Sequence, residues 1–217
     1  MRNPERDAIR MAERKERLLD AAFRIFSEQT IEAANLSNII ETAEVASLTL
    51  YRYYGNKKGL AMAVMARRWS DYLAEAFARY HAQGYDDRTA GEQFTFYLNE
   101  FRWLYENDKP LLRLNENFTS YIKHEKTDED HTQPIVGFLQ PLLEGLHRIY
   151  LRGEQDGTLC TELGEERLTV TPTHTLLAVV GKYASGLLYA GEDEAQNLRE
   201  IDFLINMFKQ TCIRTNK

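Results

Sequence analysis

Cysteine is nearly absent: Cys160 and Cys212 are the only two in 217 residues, far apart and without a CxxC. That excludes a disulfide framework and a cysteine-based zinc site, and both thiols are expected to stay reduced. No run approaches the ~20 apolar residues that span a bilayer, and no leader-type apolar stretch opens the chain, so no membrane contact and a cytoplasmic location are expected. There is also no HExxH, no serine-hydrolase elbow and no glycine-rich phosphate loop, so neither catalytic residues nor a cofactor are expected. The histidines are His81, His124, His131, His147 and His174. His124, Asp128, Glu129, Asp130 and His131 allow a metal cluster on paper; an exposed acidic loop is the simpler reading, and no metal is expected.

Proline is scarce too, at five residues, while hydrophobic residues make up 43% of the chain. Apolar positions recur at three and four rather than at two, which predicts an all-α protein. Charge is unevenly spread. Residues 1–68 carry 12 Lys+Arg and 9 Asp+Glu, net +3, against 15 and 24, net −9, for residues 69–217. The overall charge of −6 therefore hides a basic N-terminal part that suits nucleic acid.

Leu18, Leu19, Ala22, Ile25 and Phe26 form one stripe of a first helix ending near Gln29. Asn35 is the N-cap of a short helix with Leu36, Ile39 and Ile40; a third runs from about Ala46 to Tyr54, where Gly55 ends it. Asn56 caps a long helix with Met65, Trp69, Tyr72, Ala76 and Tyr80 along one face, stopped at Gly84. Further helices are predicted over 92–107, 110–123, 133–153, 173–190 and 193–213, with Gly153–Pro172 as a connection. Arg2, Arg6, Arg10 and Arg14 recur every four residues ahead of the first core helix. They form either an arm along DNA or a solvated or disordered leader balanced by Glu5, Asp7 and Glu13.

Small residues at Ala46, Ser47 and Thr49 suit a helix end approaching base edges, and Tyr51, Arg52 and Tyr53 supply hydroxyls and a guanidinium. The run from Leu18 to Leu60, with Thr49 to Tyr54 followed by Lys57, resembles the signature of the TetR family of regulators. The motif covers about a fifth of the chain. The resemblance implies an N-terminal three-helix helix-turn-helix domain over 1–60. A larger helical effector-binding and dimerisation domain would cover 61–217. It also implies double-stranded operator DNA, a second copy of the chain and a small-molecule effector as partners, with repression as the output. By resemblance, Ser47, Leu48, Thr49, Tyr51 and Arg52 read the operator, Tyr53 and Lys57 contact phosphate, and Ser37 adds a contact from the second helix. Val45, Leu50, Tyr54 and Leu60 match core positions. The chain departs from the family at Glu44, where glycine is common in the turn, and at Thr30-Ile31, where glycine and an aromatic residue are common. A left-handed Glu44 would cost on the order of 1 kcal/mol.

Aromatics crowd residues 94–121, and tyrosine tips in an apolar shell are what small-molecule pockets use. Tyr97, Phe101, Phe118, Tyr121 and Phe138 are the expected effector residues. Leu198, Ile201, Ile205, Phe208 and Cys212 are spaced as a heptad seam, and Leu177, Val180, Ala184 and Leu187 form a neighbouring stripe, so a four-helix dimer interface is expected there. Packing on their own domain is the other use of the same pattern. Two other functional classes remain: an enzyme, and a helical interaction protein that kept the fold and lost DNA binding, for which Glu44 is the support.

Overall fold

A computed structural model describes residues 4–124, 133–186 and 193–214, and these residues contain nine α-helices. They are α1 (Pro4–Glu28), α2 (Leu36–Thr42), α3 (Ser47–Tyr54), α4 (Lys57–Ala82), α5 (Ala90–Asn107), α6 (Lys109–His124), α7 (Gln133–Asp156), α8 (Glu165–Ala184) and α9 (Glu194–Cys212). Among the described residues the extended pairing is a single bridge, Leu159 with Ile213. The all-α expectation holds.

Local chemistry sets the early boundaries. The Asn35 side chain accepts from the Ser37 N–H at 2.8 Å, and Asn56 accepts from the Gly59 N–H at 2.9 Å, so each satisfies an orphan donor at its helix start. Gly55 closes α3 at φ +73°, a conformation cheap only for glycine. Thr89 and Glu92 form a reciprocal capping box on α5. One open alternative narrows and one expectation is corrected. The chain ahead of the first core helix is itself helical from Pro4, with Arg6, Arg10 and Arg14 exposed on it, while Arg2 lies outside the described residues. Likewise Gly153–Pro172 is no plain connection, because α7 continues to Asp156 and Pro172 sits buried inside α8. Threonine hydroxyls at 169 and 173 bond to carbonyls one turn back in the same stretch.

Leu18, Ala22 and Phe26 of α1 meet Ile39, Leu50 and Leu60 in one buried core under the first three helices, and Ile31 is fully buried in the same core. α4 is continuous across residues 60 and 61, so the expected division falls within a helix of 26 residues, about 39 Å long. It packs on α1, α3, α6 and α7. α5 and α8 pack on one another, with α9 against both.

Candidate DNA-reading face and ligand cavity

α3 turns one edge inward and the other outward. Leu50 is fully buried and Tyr54 half-buried, whereas Ser47, Leu48, Tyr51 and Arg52 are exposed. Leu48 is 77% exposed. Thr49 and Tyr53 are half-buried, with the Lys15 ammonium 5.1 Å from the Tyr53 ring centre. Burial, then the nearby Glu16, pushes the Tyr54 phenol up to about 12, so it stays a neutral packing group. Ser37 is exposed on α2. The sequence-derived reading residues thus share an open surface, with Thr49 and Tyr53 at its inner edge.

The turn between α2 and α3 is held firmly despite lacking glycine. Glu44 adopts φ +51°, as its place in the turn requires. Its strain is offset by backbone bonds from Glu44 to Glu41 and from Val45 to Ile40, while the Arg17 guanidinium donates to the Ala43 carbonyl at 3.0 Å. Lys57 has a task the sequence did not reveal. Its ammonium donates to the carbonyls of Ile31 (3.0 Å) and Glu32 (2.8 Å), tying the start of α4 to the α1–α2 connection. Two of its three protons are therefore engaged within the chain. Gly59 was also missed: a Cβ there would stand 2.0 Å from the Tyr54 carbonyl oxygen, so α3 and α4 approach too closely for any side chain.

At the other end, α4 walls a cavity of about 670 Å³. Met65, Trp69, Tyr72, Leu73, Ala76, Phe77 and Tyr80 face it from α4, Phe96, Tyr97, Phe101 and Leu104 from α5, Phe118 and Ile122 from α6, and Leu139, Leu142, Leu146 and Ile149 from α7. Of the expected effector residues, Tyr97, Phe101 and Phe118 line it. Tyr121 is buried but is not part of the wall. Phe138 lies on α7, with its side chain outside the described set. Inside, Glu100 accepts from the Tyr72 hydroxyl (3.0 Å) and the Arg79 guanidinium (2.5 Å), so its charge is compensated. Burial, reinforced by Glu100, holds the Tyr72 phenol well above its usual range. Tyr97 hydrogen-bonds Thr173, yet burial still raises it. Arg148 and Arg152 border both this cavity and a shallower outer pocket of about 420 Å³, and Lys123, His81 and His174 add further basic groups to the wall.

α6 joins the cavity to the N-terminal unit directly. Asn115, Phe118 and Thr119 face the void, and between them Asn117 donates to the carbonyls of Phe26 (2.8 Å) and Gln29 (3.1 Å). Arg113 donates to Ser27 O at 3.0 Å. The unpaired carbonyls at the end of α1 are thus capped by a cavity helix.

The expected seam is used within the chain. Val180, Ala184, Ile201, Ile205 and Cys212 are buried in the chain's own core; Leu198 and Phe208 are half-buried, Leu177 lines the cavity, and Leu187 lies outside the described residues. A heptad spacing reports a buried stripe, and Val180, Ala184, Ile201, Ile205 and Cys212 find their cover within the chain. The opposite face of α9 leaves Phe203 65% and Met207 47% exposed. The acidic stretch with Asp128, Glu129, Asp130 and His131, and the His124 side chain, lie outside the described residues. No helix of the described residues is long and apolar enough to cross a membrane.

Comparison with known proteins bears on both halves. Residues 18–64 match the model of the bacterial regulatory proteins of the tetR family. The transcriptional repressor KstR of Rhodococcus jostii is 39% identical over 57 residues, 26% of this chain, which spans about a quarter (27%) of that relative's length. The fatty acid degradation regulator FadR of Bacillus halodurans superposes with a TM-score of 0.67 at 17% identity, covering 96% of both chains. FadR of Bacillus subtilis in complex with stearoyl-CoA gives 0.64 at 17% identity, over 89% of this chain and 96% of that one.

Proposed function

We infer, from an N-terminal segment that matches the tetR family and a fold shared with FadR regulators, that this chain is a transcription regulator. It binds operator DNA in the cytoplasm as a homodimer, and a small molecule in the cavity releases it. One observation carries the reading: α4 starts at the helix-turn-helix, where Asn56 and Lys57 anchor it, and ends as the wall of the cavity. A ligand pressing on Trp69, Tyr72 or Ala76 pushes on the element that sets the position of α3. α6 supplies a parallel route, because Asn117 and Arg113 grip α1 beside the cavity residues Asn115, Phe118 and Thr119.

Ser47, Leu48, Thr49, Tyr51 and Arg52 are assigned to the base edges, and Tyr53, Lys57 and Ser37 to the backbone. Lys57 contributes its positive charge while holding the α1–α2 connection. Two copies must present their α3 helices about 34–36 Å apart, so a small shift of α4 changes half-site spacing and with it affinity. The exposed Phe203 and Met207 strip of α9, rather than the buried heptad stripe, is the proposed contact between copies.

The effector is read as a molecule with a long apolar body and an anionic end. Aromatic and aliphatic walls favour the first part, and Arg148 with Arg152 at the junction to the outer pocket favour the second. An acyl thioester of the kind bound in the Bacillus subtilis relative fits that description. Titration of the dimer with stearoyl-CoA, followed by fluorescence anisotropy of labelled operator duplex, tests the reading. Release of DNA that is weakened in Arg148→Ala and Arg152→Ala is expected; undiminished release in both variants would remove the anionic-end assignment.

A further inference from the structure

The two cysteines, far apart in sequence, meet in the fold. Cys160 follows α7 in the connection to α8, and Cys212 is the last residue of α9. The Cys160 N–H donates to the Cys212 carbonyl at 2.8 Å, and Arg214 N–H to Thr158 O at 2.9 Å, which frames Leu159 opposite Ile213. That arrangement puts Cys160 directly across from Cys212. A backbone N–H···O=C bond joining two residues holds their Cα atoms roughly 5–6 Å apart, inside the range a disulfide requires. The Arg214 guanidinium, one residue past the bridge, pairs with Glu162 at 2.6 Å. The two thiols are unequal. Cys160 is half-exposed, whereas Cys212 is 3% exposed and burial, with Cys160 alongside, pushes it up to about 11.

We propose that Cys160 and Cys212 form a peroxide-sensitive dithiol that closes into a reversible intrachain disulfide, a modification site separate from the DNA face and the cavity. Cys160 is the residue a small oxidant reaches. Its sulfur attacks one peroxide oxygen, the O–O bond breaks, and the thiol proton leaves with the departing hydroxide; the products are a Cys160 sulfenic acid and water. The Cys212 sulfur then displaces hydroxide from that sulfenic acid, its own proton completing a second water. Two thiols are oxidised and one peroxide is reduced to two waters. The bond formed would fasten the end of α9 to the α7–α8 connection, beside the start of α5, where the Gly91 N–H donates to the Thr158 hydroxyl at 2.9 Å. A thiol reductant reverses it.

The test is hydrogen peroxide added to the reduced full-length dimer, read by intact mass, alkylation and peptide mapping. The expected result is loss of two hydrogens per chain, disappearance of both alkylatable thiols, a peptide linking Cys160 to Cys212, monomer migration on a non-reducing denaturing gel, and full recovery with dithiothreitol. In Cys212→Ala the sulfenic acid should persist at Cys160 and be trapped by dimedone; in Cys160→Ser, Cys212 should remain a thiol. The proposal is overturned by Cys160 passing to sulfinic acid while Cys212 stays alkylatable, or by a bond that links two chains instead of one.

Discussion

The two ends of α4 are built on opposite principles. Around Asn56, Lys57 and Gly59 the chain is tied to itself: a side-chain cap, an ammonium on two carbonyls, and a glycine with no room for a methyl group. Around Tyr72, Ala76 and Tyr80 the same helix faces about 670 Å³ of space. A close-packed region transmits displacement, because it has no slack in which to absorb it. A hollow region can be displaced, because filling it repacks the walls. On the proposed function, the input belongs at the cavity end and the output at α3, joined by one continuous helix.

The substitution expected to do most harm attacks the tight end. Gly59→Ala drives a Cβ into the Tyr54 carbonyl and should cost about 3 kcal/mol, the upper range for overpacking. Operator binding should vanish while stearoyl-CoA still binds; loss of both together, with intact helical content by circular dichroism, would blur the division between the ends. Next is Lys57→Ala, which removes charged hydrogen bonds worth about 1.5–3 kcal/mol and should lower the melting temperature as well as operator affinity. Tyr51→Ala is its counterpart. It should weaken discrimination by roughly 1–3 kcal/mol for a base contact, yet leave the melting temperature unchanged because the ring is 49% exposed. A melting shift as large as that of Lys57→Ala would mean the ring is structural.

The hollow end should tolerate what the tight end cannot. Ala76→Phe adds bulk on the cavity wall and should weaken ligand at least about tenfold, a 1.4 kcal/mol effect, with near-normal stability and operator binding. A large fall in melting temperature would show that there is no usable space. The smallest effect concerns acid. Asp156 is raised by partial burial, but bonds from Ala90 N–H and from Thr158 outweigh this and leave its carboxyl below 3.8. A depressed carboxyl contributes stability above its unfolded value, and that contribution is lost as pH falls through the folded one. Asp156→Asn should therefore lower the melting temperature at neutral pH, with the gap from wild type closing below pH 3.8.

How much was legible in advance divides along the same line. Asn35, Gly55 and Asn56 announced their helix boundaries because capping is local, involving atoms two or three residues away. Even the left-handed Glu44 followed from its place in the turn. The bonds from Lys57, Asn117 and Arg113 were invisible because their acceptors are 26, 91 and 86 residues distant and are plain backbone carbonyls. Aromatic density did indicate Tyr97, Phe101 and Phe118. Tyr121 stays off the wall because a residue one position away, Ile122, takes the lining face of α6, and helical phase is set by neighbours that spacing alone does not name. Ile201 and Ile205 teach a similar lesson: a heptad stripe is the same whether its partner is a second chain or its own α5 and α8.

The central claim is that one rigid helix lets cavity and operator sense each other, and calorimetry tests it most directly. Stearoyl-CoA is titrated into the free dimer and into the dimer saturated with an operator duplex selected by repeated binding from random sequence. The account predicts weaker binding to the DNA complex, by the same factor by which the ligand weakens operator binding, with a coupling of ~1–3 kcal/mol. Equal affinity for the free and DNA-bound dimer would contradict it.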